Sequence, residues 1–175
     1  MQIYQPAEDS YFLSGAIKKF VKEKNVTVLE IGSGSGIQLQ TLFDVGIKKQ
    51  NIFGCDTNSK AVEHCKKLGF NCIKSNLFSK IKGKFDLIVF NPPYLPEDKY
   101  DKLPDTTGGK KGDETILKFI KKLKSHLKKN GECFLLLSSH TPMQRINKFL
   151  KNYKSKIIAK KKLFQEELFI YKIII

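Results

Sequence analysis

Short apolar, β-rich runs alternate with stretches of helical period along this chain. Phe12, Leu13, Ala16, Ile17, Phe20 and Val21 recur every three to four residues and predict an amphipathic helix. It follows Tyr4-Gln5-Pro6-Ala7-Glu8-Asp9-Ser10, where Pro6 suits an entry turn and Glu8, Asp9 and Ser10 suit either a first turn or a ligand-facing edge. Val26-Thr27-Val28-Leu29-Glu30-Ile31 reads as a strand and runs straight into Gly32-Ser33-Gly34-Ser35-Gly36, with a helix expected from Ile37 to Phe43. A second strand, Asn51 to Cys55, ends at Asp56; a helix from Ser59 to Leu68 and a third strand, Asn71 to Lys74, follow. Phe85-Asp86-Leu87-Ile88-Val89-Phe90 has the near-continuous apolar pattern of a strand buried on both faces.

Pro96 to Gly112 is polar and broken by Pro104, Gly108, Gly109 and Gly112, the pattern of a lid or binding loop. Asp113 can cap a helix with the stripe Ile116, Ile120, Leu123 and Leu127, ended by Asn130-Gly131, with His126 exposed on it. A strand from Cys133 to Leu137 precedes Thr141-Pro142-Met143-Gln144, a capping box opening a helix through Tyr153. Ile157 to Leu163 and Leu168 to Ile175 read as two strands of a hairpin. The expected fold is therefore one domain, residues 1–175, of doubly wound α/β type. It has a seven-stranded, mostly parallel sheet with a C-terminal antiparallel hairpin. Ligands of such sheets sit at the carboxyl ends of the strands, where Glu30, the glycine loop, Asp56, Asn76 and Asn91 all fall.

Composition adds a partner class without deciding it. At 175 residues the chain can bury a real core, and its net charge is +15, nearly all from lysine, Arg145 being the only arginine. That surplus suits an anionic partner such as RNA, or equally a solvated lysine face. Cys55, Cys65, Cys72 and Cys133 show neither zinc-ligand nor disulfide spacing and fit a reduced, cytoplasmic setting. No metal site, signal peptide or membrane span is expected; Phe169 to Ile175 is apolar but far too short to cross a bilayer.

The chemistry is concentrated in two stretches. A strand running into a glycine loop and then a helix brings backbone N–H groups up to a ligand, and Asp56, about 20 residues past the loop, is where a carboxylate meets ribose hydroxyls. The other stretch is Asn91-Pro92-Pro93-Tyr94, directly after the central strand. Each proline fixes its own φ and holds its predecessor extended, so the Asn91 amide and the Pro92 carbonyl are rigidly aimed beside the Tyr94 ring. Those groups can accept both N–H bonds of a planar amino group while the ring stacks on its plane. Held so, the nitrogen can meet an electrophilic methyl group without a strong base.

These residues carry a family resemblance. Leu29-Glu30-Ile31-Gly32-Ser33-Gly34-Ser35-Gly36 resembles the first motif of Rossmann-like, seven-stranded S-adenosylmethionine-dependent methyltransferases. Asn91-Pro92-Pro93-Tyr94 resembles the motif of those that act on amino groups. With Tyr4 to Ser10, Gly108-Gly109, Gly112 and Glu166-Glu167-Leu168, the chain is similar to the archaeal and eukaryotic branch of the HemK-like family. That branch methylates the glutamine amide of Gly-Gly-Gln in class 1 release factors. The resemblance implies that Glu30, Gly32 and Gly34 line the methionine part of S-adenosylmethionine and that Asp56 holds its ribose. Asn76 and Leu77 would meet its adenine, and Asp9 and Ser10 would approach from the N-terminal segment. Asn91, Pro92 and Tyr94 would carry catalysis, Asn91 touching the cofactor as well. Asn76 stands where the family usually has Asp, so its bond to the adenine amino group would lack charge. The resemblance also implies a heterodimer with a small zinc-binding activator subunit, and a third strand at a sheet edge would offer it backbone to pair with.

Three other readings compete. Adenine and other bases present the same planar amino group, and the charge suits RNA, but no target-recognition domain is expected in the chain, and a flipped base would need one or a structured RNA that supplies itself. A non-catalytic ligand-binding subunit is disfavoured by the intact Asn91 to Tyr94. A dinucleotide oxidoreductase is disfavoured because Ile37 stands where its third glycine is expected.

Overall fold

Strand β4 (Phe85–Phe90) lies at the centre of a seven-stranded sheet of order β3-β2-β1-β4-β5-β7-β6. The other strands are β1 (Val28–Ile31), β2 (Ile52–Asp56), β3 (Asn71–Lys74), β5 (Leu127–Ser138), β6 (Lys154–Lys162) and β7 (Glu167–Ile174). Helices α1 (Glu8–Phe20), α2 (Ile37–Asp44), α3 (Ser59–Lys67), α4 (Glu114–His126) and α5 (Met143–Leu150) join them. This computed structural model describes residues 2–95 and 108–175. Strands β1 to β5 pair in parallel, and β7 pairs antiparallel with both β5 and β6. The mostly parallel sheet with a terminal hairpin is thus as the sequence pattern indicates.

Alternation along the strands divides the core in two. Leu87 and Val89 of β4 pack on one face with Leu13, Ile17, Leu39, Leu42 and Val62 from α1 to α3. Ile88 and Phe90 pack on the other with Phe119, Ile120, Leu123 and Ile146 from α4 and α5. Phe119 is fully buried, its ring 4.7 Å from that of Phe90 and 5.2 Å from that of Phe78. Burying side chains of this size is worth roughly 1.5–3 kcal/mol each. At the amino end of the sheet, Asp86 Oδ2 accepts from Thr27 N at 2.8 Å, Thr27 Oγ1 at 2.7 Å and Lys128 Nζ at 2.8 Å. One carboxylate so ties the starts of β1, β4 and β5 together and leaves the carboxyl ends open.

Four local expectations are corrected. Val26 and Thr27 precede β1: the Thr27 N–H is taken by the Asp86 side chain, and its carbonyl accepts from both Asp86 N and Leu87 N, an irregular start to the ladder. Leu127 is the first residue of β5, paired with Phe85, and Asn130-Gly131 forms a bulge in that strand, with Asn130 at φ 63°. The Thr141 hydroxyl accepts from Ser138 N at 3.0 Å, so it is engaged by the end of β5 and does not cap α5, which ends at Leu150. His126 is half-buried, stacked on Phe78 with ring centroids 4.2 Å apart. Most of the loop expected from Pro96 to Gly112 lies outside the described residues.

Candidate active site

The carboxyl ends of β1, β2 and β4 open into one cavity of about 480 Å³. The chain after β1 turns sharply: Gly32 N and Ser33 N both donate to Cys55 O, at 2.8 and 3.0 Å, and Gly36 N donates to Ser33 O at 2.7 Å. Gly32, Gly34 and Gly36 have φ of 69°, 47° and 79°, the left-handed region that only glycine enters readily. Asp56, at the end of β2, accepts from Gly34 N at 2.9 Å through Oδ2 and from Asn58 N at 2.8 Å through Oδ1. Each oxygen keeps a lone pair for a ligand.

Glu30 is 4% exposed, and its Oε2 has no hydrogen-bond partner among the described residues. Burial pushes its carboxyl well above the usual range, with the nearby Cys72 and Asp56 adding to the rise. A buried, unsatisfied carboxyl lining a cavity is a seat for a cationic group. Past β3, Asn76 is exposed at the cavity and Leu77 beside it is half-buried with φ 49°. A bulky residue in the left-handed region is strained, and the Ser75 hydroxyl holds it by donating to Leu77 O at 2.9 Å.

Asn91, at the end of β4, donates from Nδ2 to Asp9 Oδ2 at 2.9 Å. Its Oδ1 is buried without a partner among the described residues. Pro92 is buried, and Tyr94 is half-buried against both core layers. The Tyr94 hydroxyl is pushed up by burial first and then by Glu166, Asp9 and Tyr4, so it remains a neutral phenol. Glu166 comes from the turn before β7 and is fixed by the Ser138 hydroxyl at 2.6 Å.

All the residues singled out in the sequence, from Asp9 and Ser10 through Glu30, Gly32, Gly34, Asp56, Asn76 and Leu77 to Asn91, Pro92 and Tyr94, line this one cavity. Sequence reasoning missed Gln38, which sets α1 on α2. Gln38 is 2% exposed, donating to Ser10 O at 2.8 Å and accepting from the Ser14 hydroxyl at 2.9 Å. Its only signal was a polar residue on the apolar stripe of α2. The N-cap Ala7 makes no side-chain bond, but Asp9, in the first turn of α1 as expected, accepts from Ser10 N through Oδ1 at 2.6 Å and also from Asn91 through Oδ2, so one carboxylate serves the helix start and lines the cavity.

The profile of the family described as "Methyltransferase small domain" matches residues 12–165, which include the glycine loop and Asn91 to Tyr94. The chain belongs to this family. This methyltransferase is 38% identical over 182 residues to a Methanocaldococcus jannaschii protein named "putative protein N5-glutamine methyltransferase", with 97% of this chain and 90% of the relative covered. It is 25% identical over 181 residues to the Schizosaccharomyces pombe eRF1 methyltransferase catalytic subunit mtq2, with 85% and 78% covered. Among solved structures, it matches the Encephalitozoon cuniculi Mtq2–Trm112 complex, described as responsible for methylating the eRF1 translation termination factor. That match has TM-score 0.82 at 25% identity and covers 99% of each chain. Among the described residues, no helix is long and apolar enough to cross a membrane.

Proposed function

We propose that this methyltransferase transfers a methyl group from S-adenosylmethionine to the side-chain amide nitrogen of a protein glutamine, that of Gly-Gly-Gln in a class 1 release factor. The observation that carries the reading is the Asn91 amide. Its amino group is committed to Asp9, while its oxygen is buried with no partner among the described residues. Such an atom gains most from a donor that arrives with the substrate. A glutamine amide brings two donors on one nitrogen, one for Asn91 Oδ1 and one for the Pro92 carbonyl. The names of the relatives favour glutamine over other amino groups.

The cavity residues fit the cofactor. The unsatisfied Glu30 carboxyl would take its ammonium group, the Gly32 and Gly34 turn would pass its methionine part, and the ordered Asp56 carboxylate would accept from its ribose hydroxyls. Asn76 and Leu77 would border the adenine. When bound, it supplies a sulfonium methyl: the N–C bond forms as the S–C bond breaks, the electron pair stays on sulfur, and an amide proton is lost to water. Asn91 and the Pro92 carbonyl orient the nitrogen, and their acceptor dipoles strengthen as positive charge builds on it. Neutral Tyr94 supplies a face for the amide plane without adding charge beside a sulfonium.

An activator subunit would dock on the edge strand β3, where Asn71, Ile73 and Lys74 are exposed and Ile73 is an apolar side chain left 43% in water. Cytoplasmic action follows from a translation factor as substrate. The net charge of +15 favours a second reading, methylation of an RNA base. Incubation with labelled S-adenosylmethionine and a class 1 release factor separates the two. Label is expected on the parent Gly-Gly-Gln protein and not on its Gln→Ala variant; equal label on both overturns the glutamine reading.

A further inference from the structure

The resemblance to known methyltransferases places Asp9 beside the cofactor; the hydrogen bonds give it another task. We infer that Asp9 is a positioning residue, which acts through Asn91 by fixing the orientation of its amide. This rests on the reading of Asn91 as the acceptor for the substrate nitrogen.

An asparagine amide has two nearly isosteric orientations, one presenting oxygen and one presenting NH₂ to a given neighbour. Only the orientation that leaves the oxygen free can receive a donor. Asp9 selects it. A carboxylate can only accept, so the group 2.9 Å from Oδ2 has to be the Asn91 amino group. The reverse orientation would set the amide oxygen against a carboxylate oxygen.

The carboxylate is itself held on all sides. Ser10 N donates to Oδ1 at 2.6 Å and the Ser10 hydroxyl at 3.2 Å, while the Tyr4 hydroxyl reaches both oxygens at 3.2 and 3.3 Å. Asp9 is 8% exposed, and α1 beneath it is fixed to α2 through Ser10, Gln38 and Ser14. Asp9 and Asn91 are 82 residues apart in sequence, so the contact is a property of the fold alone. The chain from Tyr4 to Ser10 thus sets the direction of a group on β4.

The test is a double-mutant cycle, read as turnover on a class 1 release factor and as S-adenosylmethionine affinity by calorimetry. Asp9→Ala is expected to lower kcat about tenfold while leaving the cofactor Kd unchanged within about twofold. In an Asn91→Ala background the same change is expected to lower kcat no further, since no amide remains to be oriented. Asp9→Asn keeps the shape, so it decides the matter if the alanine variant fails to fold. Its amide satisfies either Asn91 orientation, and kcat is expected to fall severalfold. Asn91→Asp sets two carboxylates face to face, and adding Asp9→Asn is expected to recover part of the turnover that this exchange removes. Equal losses from the Asp9 change in both backgrounds, or a cofactor Kd weakened tenfold by it, would overturn the inference and leave the role of Asn91 intact. An unchanged kcat in Asn91→Ala alone would overturn the reading on which it rests.

Discussion

Gly108 lies so close to Pro93 that a Cβ added to it would meet the Pro93 carbonyl oxygen at 2.7 Å and the Gly112 carbonyl oxygen at 2.3 Å. Both contacts are with backbone, and Gly108 N also donates to Leu95 O at 2.8 Å. The glycine therefore seats Asn91 to Tyr94 against the segment that leads into α4. Gly108→Ala is expected to displace that motif, lowering stability by about 1–3 kcal/mol. It should also lower turnover at least tenfold with cofactor affinity largely kept. Denaturant unfolding and single-turnover rates check both; wild-type values would show that the contact does not hold the motif.

The raised Glu30 carboxyl gives a pH dependence. Below its folded pKa the group carries a proton, and a cationic ligand needs the carboxylate. Affinity for S-adenosylmethionine should then rise with pH through that pKa and level off above it, with a proton released on binding. Calorimetry in buffers of different ionisation enthalpy detects that proton. Glu30→Gln should abolish the release and weaken binding; release that persists in this variant would assign it elsewhere.

Asp56→Ala should weaken cofactor binding by on the order of 1–3 kcal/mol, since it removes the proposed ribose acceptor and leaves Gly34 N and Asn58 N without their partner. Asn76→Asp should tighten binding if residue 76 meets the adenine amino group. Unchanged affinity in the first, or a looser complex in the second, removes that residue from the site.

Far from the cavity, burial would raise Asp86, but the Lys128 ammonium and the Thr27 donors outweigh it and hold the carboxyl below its ordinary value. A depressed carboxylate pKa stabilises the fold above the unfolded-state value, about 3.9, and that stability is lost as pH falls through the folded value. Asp86→Asn should unfold at lower urea than the parent at pH 7 and at nearly the same urea at pH 2. A gap that persists at pH 2 would mean the ion pair and its bonds to Thr27 are not the cause.

The sheet was legible because parallel strands buried on both faces carry near-continuous apolar runs, as Phe85 to Phe90 does apart from Asp86, and because glycine, proline and spaced acid mark the strand ends. Tertiary competition was not legible. Thr141 has the spacing of a cap but bonds to Ser138, and Leu127 has the spacing of α4 but pairs with Phe85. His126 stacks on Phe78, a contact between residues 48 positions apart that no local pattern encodes. For the same reason the sequence could name both Asp9 and Asn91 and not show that they touch. The left-handed Leu77 had no signal at all, since leucine is not a residue that invites that conformation.

If Asn91 positions the nitrogen that is methylated, Asn91→Ala removes the group on which turnover depends. Turnover with a Gly-Gly-Gln release factor is measured beside S-adenosylmethionine affinity on the same preparation. A fall in kcat of roughly 10²-fold or more is expected, with the cofactor Kd within about twofold of the parent. Parental turnover, or a loss explained wholly by weaker cofactor binding, would contradict it.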